Sequence, residues 1–104
     1  MKVKYKTSDY IRAKIIILNL FFGMTDKEME LLRLYLEANS KELIYDHKKL
    51  ISAFYKNQYK DSLGLKRLGN VDQLIDKLEV KKVFSEEGVN RMFLTDDKEF
   101  TFVL

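Results

Sequence analysis

The sequence contains no cysteine, no proline and no tryptophan, and only four glycines among 104 residues. Without cysteine, structural disulfides, cysteine-ligated zinc and thiol catalysis are excluded. With so few chain breakers, long regular elements joined by short connections are expected. No long hydrophobic run is present either. The apolar stretch 15–22 is interrupted by Asn19 and falls short of the roughly 18–20 residues that a membrane-spanning helix needs. Lys2, Lys4 and Lys6 precede it as in a secretory signal, but Phe21, Phe22, Gly23 and Met24 form a poor cleavage site. The run therefore reads as core and the protein as cytoplasmic, with no membrane partner. Catalytic signatures are also missing: no glycine-rich phosphate loop, zinc spacing or GxSxG motif occurs. His47 is the only histidine and has no evident nucleophile beside it, so it reads as a surface or cap-region residue. The expectation is a non-enzyme with no cofactor and no metal.

Apolar residues make up 46 % of the chain and charged residues 34 %, which places it among globular rather than disordered sequences. Residues 1–104 are expected to form a single domain, with 1–22 as an N-terminal arm and helix. The net charge of +3 says less than its distribution. Residues 1–14 carry +4, 15–47 carry −3, 48–82 carry +5 and 83–104 carry −3. A basic segment set between acidic ones suits an oriented polyanion contact, or simply an unevenly charged solvated surface.

Residues 1–7 alternate polar and apolar, which suits an edge strand or an extended arm. Ser8 and Asp9 can cap a helix running through Arg12 to about Phe22 and closed by Gly23, although the isoleucine triplet 15–17 has strand character. Thr25 and Glu28 form a capping box for a second helix to about Glu37, with Met29, Leu32 and Leu36 on its apolar stripe. Asp46 can cap a third, with Leu50, Ile51, Phe54 and Tyr55 buried. Leu63, Gly64 and Leu65 read as a tight turn. The next helix begins somewhere between Lys66 and Val71 and ends near Glu79, burying Leu68, Val71, Leu74, Ile75 and Leu78. Asn70 with Gln73 makes an alternative capping box for a start at Val71. Short apolar runs at 83–84, 91–94 and 100–104, separated by turns, predict a hairpin or small meander. The fold class expected is mainly α with a small β-hairpin.

The order helix, helix, glycine turn, helix, hairpin resembles the winged helix-turn-helix superfamily. The resemblance is carried by Leu63-Gly64-Leu65, the apolar spacing Val71, Leu74, Ile75 and Leu78, and Lys81-Lys82 followed by Val83-Phe84. Thr25 to Glu28 looks like the start of that superfamily's first helix, so the likeness covers 24–104. A weaker resemblance is to small winged-helix proteins of tailed bacteriophages. The chain departs from the pattern in two ways. Lys66, Arg67 or Asn70 stands where the family commonly caps the recognition helix with Ser or Thr, and about one extra residue follows the turn. The superfamily implies double-stranded DNA as partner and transcription regulation as a role, with a recognition helix at about 66–79 and a C-terminal wing.

At 100° per residue, Lys66, Asn70, Gln73 and Lys77 fall within about a 60° arc opposite the buried stripe. Asn and Gln can pair with adenine edges and Lys with guanine or phosphate. With Arg67, with Lys81 and Lys82 at the wing base and with Arg91 in the wing, these are the candidate DNA contacts. Asp72, Asp76 and Glu79 on the adjoining flank oppose phosphate. They favour the alternative, an interaction or phage assembly module whose same face meets an acidic protein. The segment containing Ile15, Ile16, Leu18, Phe21 and Phe22 is expected to pack on the domain or to make a homodimer.

Overall fold

The computed structural model describes residues 2–4, 7–94 and 99–101. Five helices and two small antiparallel pairs of strands make up the described chain, so the mainly-α class with a small hairpin holds. Strand β1 (Lys2–Lys4) leads into α1 (Thr7–Phe22) and α2 (Asp26–Ser40). Short α3 (His47–Leu50), α4 (Ala53–Leu63) and α5 (Leu68–Val80) follow. The chain ends in the hairpin β2 (Phe84–Ser85) and β3 (Gly88–Val89), a 3-10 turn (Arg91–Phe93) and β4 (Glu99–Thr101). Strand β4 returns to β1, with Lys2 opposite Thr101 and Lys4 opposite Glu99. The edge-strand expectation thus holds for 2–4; residues 102–104 of the expected last strand lie outside the described residues.

Helix α2 is the hub and packs against α1, α3, α4 and α5. Its start is the expected capping box: Thr25 Oγ1 accepts from Glu28 N at 3.3 Å, and Glu28 Oε1 accepts from Thr25 N at 3.2 Å. It buries Leu31, Leu32, Tyr35 and Leu36, and runs to Ser40, past the expected end at Glu37. Helix α1 ends at Gly23, in the left-handed region with φ 64°, whose N–H reaches Asn19 O at 3.0 Å. Asn19, the polar break in the apolar run, closes this corner. Its Oδ1 accepts from Met24 N at 2.5 Å, and its Nδ2 donates to Met24 O.

Three expectations need correction. The third helix is two helices. Asp46 caps α3 through Lys49 N, but the chain breaks at Ile51 and restarts after Ser52. The break resets the helical phase, so Tyr59 rather than Phe54 faces the core, and Phe54 is 66 % exposed. On α5, Val71, Ile75 and Leu78 are buried, whereas Leu68 and Leu74 at the edges of the stripe are half-buried. Residues 91–93 form a 3-10 turn, not a strand. Asn90 Oδ1 accepts from Met92 N at 3.0 Å and turns the chain, and Phe93 folds inward against Phe22, ring centroids 5.4 Å apart.

Candidate nucleic-acid interface

Helices α4 and α5 are joined by residues 64–67, a four-residue turn. Gly64, with φ 68°, ends α4, and Leu65 N–H returns to Lys60 O at 2.9 Å. This tight exit lets α5 pack back on α4, and Lys56 on α4 pairs with Asp72 on α5 at 2.8 Å. Helix α5 then carries the candidate residues at known positions. Arg67 is its N-cap and Lys66 precedes it, so Lys66 is not part of the helical stripe. An arginine side chain accepts no hydrogen bond, so this end has no side-chain acceptor. Only the return half of a capping box forms: Asn70 Oδ1 accepts from Arg67 N at 3.2 Å. Asn70 therefore occupies the third helical position, and the alternative start at Val71 with Asn70 as cap is overturned.

Gln73 and Lys77 are exposed on the face opposite Val71 and Leu78. Lys66, Arg67, Lys77, Lys82 and Arg91 make no ion pair among the described residues. Asp76 and Glu79 are exposed on the adjoining flank and likewise unpaired, while Asp72 is held by Lys56. Of the supporting lysines, Lys49 pairs with Glu42 at 2.9 Å and Lys60 lies 3.6 Å from Asp61. Arg91 projects from the 3-10 turn rather than from a wing strand.

Lys81 is placed elsewhere. Its ammonium lies 2.5 and 2.9 Å from the two oxygens of Glu28 and donates to Gly23 O at 3.0 Å. Glu28 is fully buried. Burial pushes its carboxyl up, but Lys81 and the Thr25 N–H and hydroxyl together hold it below the ordinary carboxylate value. Lys81 is thus the counter-ion of a buried acid, not a free cation at the wing base. Lys82 beside it is exposed and left-handed at φ 66°. Val83 N–H reaches Leu78 O at 2.9 Å and Lys82 N–H reaches Glu79 O at 3.0 Å, a Schellman closure with lysine where glycine is usual.

Sequence reasoning also missed a polar chain beneath the hairpin. Val89 N–H donates to Tyr45 Oη at 2.8 Å. Tyr45 Oη lies 2.6 Å from Tyr35 Oη, which lies 2.7 Å from His47 Nδ1. Every donor is used only if the bonds run one way, from Val89 through Tyr45 and Tyr35 to an unprotonated Nδ1. Burial lowers the His47 pKa against the opposing pull of Glu79 and Asp46, which favours that neutral form. Burial and the bond to Tyr45 push the Tyr35 hydroxyl far above its ordinary value. Gly88 at the hairpin has φ 132°, and a Cβ there would collide with Tyr45 Oη. His47 is therefore an internal strut for the hairpin. Its sequence signal was only that a lone histidine follows an aspartate cap.

Among the described residues no cluster of His, Asp and Glu could hold a metal ion, and no helix is long and apolar enough to cross a membrane. No protein-family model, no curated protein and no solved structure matches the chain.

Proposed function

We propose that the chain is a winged helix-turn-helix protein that binds double-stranded DNA, as a regulator of transcription, with the N-terminal end of α5 as the leading contact. The carrying observation is the pair Lys66 and Arg67, both exposed and without an ion pair among the described residues, at a helix start whose N-cap side chain accepts no hydrogen bond. The first turn of a helix offers unsatisfied N–H groups and partial positive charge to a phosphate. In helix-turn-helix docking the N-terminal residues of the second helix are the ones that meet base edges. Gln73 and Lys77 continue that flank along α5. Lys82 and Arg91 supply further phosphate contacts, and Lys81 is left out because Glu28 holds it. Asp76 and Glu79 occupy the other flank, so the helix must enter tilted, N-terminus first.

A second reading is favoured by those same two unpaired carboxylates and by Val80, which is 80 % exposed. On that reading the fold docks on a protein, an acidic one if Lys66 and Arg67 lead. Titration of the full chain with a duplex at two salt concentrations separates the readings. DNA binding predicts measurable affinity at low salt and a steep loss on raising it, because each neutralised phosphate releases a counterion. No binding at low salt overturns the DNA reading and leaves the protein partner.

A further inference from the structure

Apart from Asn19, helix α1 is apolar all round over 15–22, a pattern that belongs to a helix covered on every side. One side is covered here: Tyr10, Ile11 and Ile15 are buried, and Leu18 and Phe22 pack against the same core. The other side is open. Ile16, Ile17, Leu20 and Phe21 are 60, 37, 86 and 74 % exposed. Together they present on the order of 450 Å² of apolar surface, a patch of the size that marks an interaction site on a monomer.

The chemistry of the patch limits what can cover it. Residues 15–25 carry no ionisable side chain, so neither a phosphate backbone nor an anionic headgroup finds a counter-charge within the patch. Beside the patch, a groove of about 310 Å³ runs between α1 and α2, with Ile15, Ile16 and Met29 lining it. Arg12 and Asp26 stand at that groove, one charge of each sign, beside Arg33 and Glu30, which pair with each other at 2.8 Å. An uncharged apolar face bordered by equal numbers of both signs is complementary to a rotated copy of itself.

We propose that a second copy of this chain covers α1, through a two-fold axis that runs the two α1 helices antiparallel and passes between Ile16 and Leu20. That register sets Leu20 of each copy over Ile16 of the other, at the mouth of the groove. The interface is isologous: the same patch serves on both sides. Two patches plus their rims bury about 1,200 Å² in total, the low end of specific interfaces, so a weak, concentration-dependent dimer is expected. The inference does not rest on the DNA reading, since no residue proposed to touch DNA lies in α1.

Sedimentation velocity of the full chain from about 1 to 200 μM tests it, with the mass expected to rise from one chain to two across that range. Leu20→Asp should hold the mass at one chain with an unchanged far-UV spectrum, because Leu20 is almost fully exposed and takes no part in the core. The native chain has no cysteine, so a single introduced thiol reports position cleanly. Leu20→Cys should give a covalent dimer on mild oxidation, and Gln58→Cys on exposed α4 should not. A wild-type chain that stays single at 200 μM, Leu20→Asp pairing as well as wild type, or equal cross-linking at both cysteines would overturn the proposal.

Discussion

The two ends of α5 carry basic residues of the same kind and use them in opposite ways. At the start, Lys66 and Arg67 stand in solvent with no acidic partner among the described residues. At the finish, Lys81 holds the buried Glu28 and Lys82 completes a Schellman closure. The difference lies in what each end faces. The start emerges from a glycine turn at the surface. The finish abuts the corner between α1 and α2, where Gly23 O and the Glu28 carboxylate need a donor. A lysine's role is thus set by what tertiary packing brings to it.

The sharpest way to break this comparison is stability. Lys81→Ala should cost about 3 kcal/mol in urea unfolding, since it strands a buried carboxylate. The double replacement Lys66→Ala and Arg67→Ala should change stability by no more than about 0.5 kcal/mol. Equal losses would mean that the two ends are not different in kind. The finish should also be acid-sensitive. The Glu28 pKa is lowered on folding, so its contribution is complete above about pH 4.5 and is lost as the pH falls through the folded value. Urea midpoints measured across that range should fall in wild type and fall less in Lys81→Ala.

A smaller effect of opposite sign is expected next door. Lys82 adopts φ 66°, a conformation that suits glycine better than any residue with a Cβ. Lys82→Gly should raise stability by about 0.5–1 kcal/mol, after allowing for the looser unfolded chain. Thermal melts decide the sign, and a destabilised variant would show that the lysine side chain does something the backbone account omits.

The hairpin strut gives a third, weaker effect. The His47 pKa is lowered in the folded chain, so below its ordinary 6.5 the unfolded state binds more protons. His47's contribution is then complete above about pH 6.5 and is lost as pH falls below it. Protonating Nδ1 would also reverse the one-way chain and leave the Tyr45 hydroxyl without its acceptor. His47→Gln should flatten the pH dependence of stability just below about pH 6.5. A wild-type curve that is already flat there would remove the strut.

The smallest stability effect carries the largest functional one. Lys66→Ala should leave the melting temperature alone, yet lower the slope of log affinity against log salt by about 0.9, one counterion's worth. A slope unchanged by Lys66→Ala and Arg67→Ala together would take the leading contact away from this end of α5.

Much of the fold could be read from local chemistry. The Thr25 to Glu28 capping box, the Asp46 cap, the Gly23 and Gly64 stops and the 3.6-residue spacing in α5 depend on neighbours within one turn of helix. What escaped was decided partly by local breaks and partly at a distance. Phe54 lost its buried place because a break at Ile51 and Ser52 reset the helical phase. Residues 91–93 looked like a strand until Asn90 turned the chain and Phe93 found Phe22. The candidate site divides in the same way. Gln73 and Lys77 could be placed on the outer face from periodicity alone. Asn70's use as a return cap and Lys81's bond to Glu28 could not, since the partner of Lys81 lies 53 residues upstream.

That separation bears on how the chain folds as it is made. Helices α1 and α2 leave the ribosome before α5 and can meet through the Asn19 corner. Yet the hub helix carries a carboxylate at a position that ends fully buried, and its cation is translated more than fifty residues later. Until Lys81 emerges, Glu28 must stay hydrated or take up a proton. The ion pair that completes the hub can therefore form only once the last turn of α5 has been made.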